Sequence, residues 1–234
     1  MTSVVDAADR WPASPMIHPA GVILPVGDRS GTPSLAPEAR AAICNGSCCS
    51  DMIGRLQEAI LGGDRVLLVG TGFGVLSTLA GKIQDIRRVI ALEADARLVP
   101  YLDQVHEKNG VPWVETLCAV PGDGRRGNAR YFARRDPRDS SLSRDDGPWD
   151  EALLVPLVDL ELLISEEEIN VIVWDTPTAA ADLLNDARLG KVDRIVVNQG
   201  KMKSQPPEAE VTSWMMRLGF ITRDSGSARL YHRA

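Results

Sequence analysis

Four apolar residues, Val66-Leu67-Leu68-Val69, run without polar alternation into Gly70-Thr71-Gly72-Phe73-Gly74. Such a run predicts a strand buried on both faces, as in a parallel sheet. Apolar residues then recur at Val75, Leu76, Leu79, Ala80 and Ile83, which is helical spacing. The block that follows repeats the pattern. Strand 65–70 leads to helix 73–84, strand 87–93 leads to helix 95–109 closed by Asn109-Gly110, and Trp113 to Val120 reads as a further strand. Upstream, Met52, Ile53, Leu56, Ala59 and Ile60 mark one face of a helix over 51–61, stopped by Gly62-Gly63. Residues 1–20 are rich in proline and small residues and read as loosely held. Gly21 to Val26 reads as a short edge strand, 27–37 as loop, and Pro37 to Ala42 as one or two helical turns.

Downstream, strands are predicted over Ala152–Val158, Val171–Asp175 and Asp193–Asn198. Helices are predicted over Asp159–Ser165, Ala179–Leu189 and Glu208–Leu218. An antiparallel pair, Gly219–Arg223 with Ala228–His232, closes the chain. Alternation of strand and helix predicts an α/β fold, a Rossmann-like sheet that is mostly parallel, with helices on both faces and an antiparallel C-terminal hairpin. Residues 121–150 break the rhythm. They hold seven arginines, with Asp136, Asp139, Asp145 and Asp146 between, and few apolar positions. They read as a mobile arginine-rich insert, either a solvated loop or a lid whose arginines meet an anionic substrate group.

The strand–glycine–helix junction lets a nucleotide approach bare backbone at a helix N-terminus. Glu93 stands nineteen residues past Gly74, at the end of the next predicted strand. A carboxylate there can hold ribose hydroxyls; the alternative is a surface carboxylate. The dinucleotide pattern G-x-G-x-x-G fails, because Val75 stands where its third glycine would fall. Compact Gly70-x-Gly72-x-Gly74 with a later acid looks like the S-adenosylmethionine site of class I methyltransferases. The phosphate-cradle pattern also fails, since Gly81-Lys82 is followed by Ile83.

Composition narrows the partners. The formal charge is −6 and the pI about 5.2, which disfavours nucleic acid. No apolar run approaches a membrane span, and Met1–Ala13 lacks the apolar stretch of a secretory signal, so the expectation is a cytoplasmic protein with no membrane partner. Cys44, Cys48 and Cys49 are crowded together, but His18, His106 and His232 are scattered and form no second half. No metal site is therefore expected, and the cysteines read as reduced packing residues.

The order and spacing resemble the FkbM-type S-adenosylmethionine-dependent methyltransferases from about Gly21 to the C-terminus. The resemblance rests on the glycine motif, Ile90-Ala91-Leu92-Glu93-Ala94-Asp95, Glu107-Lys108-Asn109-Gly110 and Cys118-Ala119-Val120. It continues through Ser140-Ser141-Leu142, Val155-Pro156-Leu157-Val158-Asp159-Leu160 and Val173-Trp174-Asp175. It implies S-adenosylmethionine as cofactor and O-methylation of a small-molecule or sugar hydroxyl. Residues 1–61 read as an N-terminal extension packing on the core, and residues 62–234 as the methyltransferase domain carrying the 121–150 insert. The resemblance assigns Gly70, Thr71, Gly72, Phe73, Gly74, Glu93, Ala94, Cys118 and Ala119 to the cofactor. Asp175 would orient or deprotonate the acceptor, or else cap the helix after Thr176-Pro177. A homo-oligomer is compatible with this reading. The chain departs from the family at Leu68, Gly72, Val173 and Pro177. Those departures keep a second hypothesis open, a cofactor-binding module without catalysis. A nicotinamide oxidoreductase is a third, disfavoured by the glycine spacing.

Overall fold

A computed structural model describes residues 14–25, 37–122, 127–134, 136–176, 189–199 and 208–234. The readings of 1–13, of most of 27–37, of helix 179–189 up to residue 188, and of Pro177 lie outside the described residues. The N-terminal part comprises β1 (Met16–His18), β2 (Val22–Leu24), α1 (Pro37–Cys44) and α2 (Ser50–Ala59). The central block is β3 (Arg65–Val69), α3 (Val75–Gly81), β4 (Arg88–Glu93), α4 (Val99–Lys108) and β5 (Glu115–Cys118). Then come β6 (Val120–Gly122), β7 (Asn128–Ala133), β8 (Glu151–Asp159), α5 (Leu160–Glu166) and β9 (Val171–Trp174). The chain closes with β10 (Arg194–Asn198), α6 (Glu208–Arg217), β11 (Phe220–Ile221) and β12 (Ala228–Arg233).

The main sheet has the order β11-β12-β10-β9-β3-β4-β5. Strands β5, β4, β3, β9 and β10 are parallel, and β12 runs antiparallel to both β10 and β11. This is the Rossmann-like sheet with an antiparallel C-terminal pair that the sequence predicts. The apolar run of β3 explains itself in the two layers. Val66 and Leu68 face a core shared with α1 to α4, through residues such as Ile43, Leu56, Leu76 and Leu102. Leu67 and Val69 face the other core, with Leu160 and Ile164 of α5 and Met215 of α6. A strand covered on both sides has no place for polar alternation. Among the described residues no helix is long and apolar enough to cross a membrane.

Four expectations are corrected. The segment from Gly21 does hold a short strand, Val22–Leu24, but residues 16–18 are not loose. They pair with each other as a separate hairpin, Met16 opposite Leu24. Asn109 holds that hairpin: its side-chain oxygen accepts the Ile23 N–H at 2.8 Å and its amide donates to the Ile23 carbonyl at 2.6 Å. The side chain thus acts as a strand neighbour, while Gly110, at φ +74°, ends α4 as predicted. The strand from Trp113 to Val120 is broken after Cys118, and Val120 begins a three-stranded sheet of order β6-β8-β7. The third correction shortens helix 73–84 to Val75–Gly81.

The fourth concerns 121–150. Strand β7 runs antiparallel to β8, with Asn128 opposite Pro156 and Ala133 opposite Glu151. Beyond it the backbone wraps around one buried arginine. Arg134 Nη1 donates to the carbonyls of Phe132 and Asp139 and to Ser141 Oγ, each at 3.1 Å, and Nη2 donates to the Ser143 carbonyl at 3.0 Å. An arginine read as solvated charge is therefore the organising centre of the segment. Five donors in a fixed fork can satisfy several loop carbonyls at once.

Asp64, just past the helix-stopping glycines, ties the sheet together at its opposite end. It is buried, and its Oδ1 accepts from Asn170 Nδ2 and Arg194 Nη2, both at 2.8 Å, while Oδ2 accepts the Leu61 N–H at 2.6 Å. These bonds fix the starts of β3, β9 and β10 in register. The carboxyl ends, where the ligand crevice of an open α/β sheet lies, are positioned as a consequence.

Candidate functional site

The strand order reverses between β3 and β9, and the crevice opens there. Gly70 leaves β3 at φ +84° and passes against β9. A Cβ on Gly70 would stand 2.7 Å from the Asp175 carbonyl oxygen, so only glycine lets the two strand ends meet. Gly74 opens α3 at φ +81°, and a Cβ there would lie 2.9 Å from Leu102 of α4. Gly72 differs from both: a Cβ on it would meet open space. Its backbone N–H donates to Glu93 Oε2 at 2.9 Å, and Glu93 Oε1 accepts the Asp95 N–H at the same distance. The end of β4 is thereby bonded to the glycine turn.

Glu93 is 5% exposed. The surface-carboxylate alternative is excluded. Burial pushes its pKa from 4.5 to about 7, and the neighbouring Asp95 charge adds to the rise. The N–H bonds from Asp95 and Gly72 oppose it without cancelling it. The Asp95 and Gly72 N–H groups each donate to one oxygen and the Thr71 backbone bonds the group as well, which leaves acceptor capacity for a further donor.

The hollow between these elements is lined by Val69, Gly70, Gly72, Leu92, Glu93, Ala94, Leu98, Ala119, Val120 and Pro121 on one side. Tyr131, Pro137 and Ser140 of the arginine-rich segment, with Asp175 and Thr176 after β9, complete it. Of the residues assigned from the sequence, Gly70, Gly72, Glu93, Ala94, Ala119 and Asp175 come together here. Thr71, Phe73, Gly74 and Cys118 do not line it. Thr71 is buried and its hydroxyl donates to the Leu92 carbonyl at 3.2 Å. Phe73 packs in the core beside α3, and Cys118 lies in β5 opposite Glu93, with burial and the Glu93 and Asp95 charges raising its thiol pKa. These residues hold the turn and strand end in shape rather than face the hollow. Asp175 Oδ1 accepts from Asn198 Nδ2 at 2.7 Å, a partner on β10 that no local pattern announced. Tyr131 and Ser140 were missed because their segment read as loop. The helix that Asp175 would cap begins outside the described residues.

The histidines are not all remote from the cysteines. His18 Nε2 lies 3.9 Å from Cys49 Sγ, which corrects the reading that they form no second half.

No protein-family model matches the sequence, and no curated protein does. Solved structures match in shape. The magnesium protoporphyrin IX methyltransferase of Synechocystis PCC 6803, determined with bound S-adenosylmethionine, is 13% identical, with 89% of this chain and 87% of that one covered and a TM-score of 0.48. A protein of the NADB-Rossmann superfamily from Streptococcus agalactiae is 14% identical over 77% and 68% of the two chains, with a TM-score of 0.46. An S-adenosylmethionine-dependent methyltransferase from Aquifex aeolicus is 12% identical over 79% and 88%, with a TM-score of 0.42. At these values the matches assign neither ligand nor reaction to this chain, and the fold stands on its own strand order.

Proposed function

We propose that the hollow binds S-adenosylmethionine and that the chain is an S-adenosylmethionine-dependent methyltransferase acting on a hydroxyl of a small molecule or sugar. One observation carries this reading: a buried carboxylate, Glu93, bonded to the N–H of Gly72 where the backbone faces open space. A ribose presents two adjacent hydroxyl donors, and Glu93 has acceptor capacity left to take one of them. The adenine would lie toward Ala94, Leu98 and Ala119, an apolar wall that suits a flat ring. When bound, the cofactor supplies an activated methyl group on a good leaving group.

The remaining work falls to this chain. Asp175 lines the same hollow as Glu93, where its carboxylate can accept the proton of an acceptor hydroxyl. Asn198 orients it. Tyr131, Pro137 and Ser140 shield the site from water. The hollow measures about 70 Å³. Ordinary ligand pockets span roughly 300–1,000 Å³, so the walls part when a nucleoside enters. The segment bearing Tyr131 and Ser140 is the wall we assign to that movement. Its exposed Arg130 and Arg144 favour an anionic acceptor. The FkbM-type resemblance implies a hydroxyl acceptor on a sugar or other small molecule.

Calorimetry of the full chain with S-adenosylhomocysteine, S-adenosylmethionine and NAD tests the reading. Binding of the first two, lost in Glu93→Ala and in Gly72→Val, supports it. Binding of NAD alone overturns it. Asp175→Asn then addresses chemistry: turnover falls roughly 10²–10⁴-fold if the carboxylate is the base, and stays at wild type if it only caps a helix. Binding without methylation of any acceptor favours the inactive module, for which Val173, buried in the apolar layer, is the feature to examine.

A further inference from the structure

Two cysteines and a histidine meet on the face of the fold that carries the N-terminal hairpin. Cys48 Sγ and Cys49 Sγ lie 3.3 Å apart, and Cys49 Sγ lies 3.9 Å from His18 Nε2. All three potential ligand atoms fall within 4.8 Å of one another. His18 and Cys49 are buried and Cys48 is half-buried. The meeting is built by the backbone. Gly46, at φ +78°, turns the chain between α1 and α2, and a Cβ on it would stand 3.1 Å from Pro19, the neighbour of His18. The close approach of this turn to the hairpin therefore depends on a residue without a side chain. Cys49 precedes the ten-residue helix α2 at its N-cap position, and its side chain makes no capping bond. The positive end of the helix dipole favours a thiolate there.

We propose that His18, Cys48 and Cys49 form a binding site for a zinc-class divalent cation, which fastens the hairpin to the start of α2. A tetrahedral zinc ion, at about 2.3 Å from sulfur and 2.0–2.1 Å from nitrogen, spreads its ligand atoms roughly 3.5–3.8 Å apart. Two of the three separations, 3.3 and 3.9 Å, lie on either side of that spacing, and the third, from Cys48 to His18, is within 4.8 Å, so a small closing of the hairpin toward α2 completes the set. Two thiolates and an imidazole suit zinc and exclude hard cations such as magnesium or calcium. The half-buried Cys48 side leaves an approach for the ion and a water as fourth ligand. In the metal-free ring Nδ1 accepts the Ala20 N–H at 3.1 Å, so the ring proton sits on Nε2 and faces Cys49. Binding through Nε2 moves that proton to Nδ1, which then no longer accepts the Ala20 N–H, while the two thiols release their protons to solvent. The thiolates are therefore the principal ligands and His18 the third. This site lies apart from the glycine-turn hollow and shares no residue with it.

The test uses the full chain, stripped by chelator and titrated with Zn(II), and with Co(II) as a spectroscopic probe. The expected result is one ion per chain, a tetrahedral cobalt spectrum with thiolate-to-metal charge transfer, and proton release on binding. Cys49→Ser and Cys48→Ser should each weaken binding at least 100-fold, His18→Gln about tenfold, and Cys44→Ser should leave it unchanged. Circular dichroism of each stripped variant checks that the fold is retained. Binding that survives Cys48→Ser with Cys49→Ser, or that Cys44→Ser abolishes, overturns the ligand set. A stoichiometry near zero, or an octahedral cobalt spectrum, overturns the site.

Discussion

Replacing Glu93 by glutamine should change how stability depends on pH, not just its level. In the ligand-free protein the Glu93 carboxyl titrates near 7 against 4.5 ordinarily, because it is buried. Between those values the folded chain holds a proton that the unfolded chain has released. The stabilisation from the neutral carboxyl is thus complete below about pH 4.5 and is lost as pH rises through 7. A rise from 4.5 to about 7 corresponds to about 3 kcal/mol, at about 1.36 kcal/mol per pH unit. Glutamine cannot ionise, so this loss disappears from the variant. It has its own constant penalty. One of the two N–H groups, from Gly72 or Asp95, then faces an amide NH2, at a cost of about 1–3 kcal/mol that does not vary with pH. The variant should be the less stable protein at pH 5 and draw level with or pass the wild type by pH 8.5. Urea denaturation across that range, with the slope checked for constancy, measures the difference at each pH. A difference that stays constant within about 0.5 kcal/mol would refute the burial argument. The same variant should bind S-adenosylhomocysteine poorly at every pH, so a stabilised fold with a weakened site is the anticipated outcome at alkaline pH.

Four more outcomes can be checked. In the wild type, ribose hydroxyls favour the Glu93 carboxylate, so S-adenosylhomocysteine affinity should fall by up to tenfold per pH unit below 7; a flat calorimetric profile from pH 5.5 to 8 would remove Glu93 from the contact. Gly72→Ala places a methyl in open space at φ +53°, so urea melts should show a loss of only about 1–2 kcal/mol, while ligand binding measured beside them should fall much further. Asp64→Ala leaves Arg194 without its buried partner and should cost roughly 3–5 kcal/mol in thermal or urea unfolding, with no effect on ligand affinity of the folded fraction; a loss below 1 kcal/mol would contradict the role given to this pair. Hydrogen exchange should find the β7 amides protected before any ligand is added, because they pair with β8, and the amides of 136–150 slowed further on ligand binding; fast exchange throughout 128–133 would restore the mobile-loop reading of that strand.

The parts of this protein legible in the sequence are those decided by neighbours a few residues apart. The apolar run Val66–Val69 had to be covered on both faces, and Gly110 had to end a helix, whatever lay elsewhere in the chain. The same holds for the glycine turn and the carboxylate at the end of the next strand, since parallel neighbours joined by one helix bring those positions side by side. What the sequence left open was where polar side chains find partners. Asn109 bonds to a strand 86 residues away, Asp64 to Arg194 across 130 residues, and His18 approaches Cys49 across 31. No periodicity encodes such pairs, because each depends on where two separate elements dock. Arg134 shows the limit most clearly: seven arginines in thirty residues look alike as charges, and only the tertiary structure shows that the Arg134 guanidinium is buried among loop carbonyls while Arg130 and Arg144 are exposed. The surrounding carbonyls had to be satisfied by some donor, and only the folded path of the chain decides that Arg134 lies within reach.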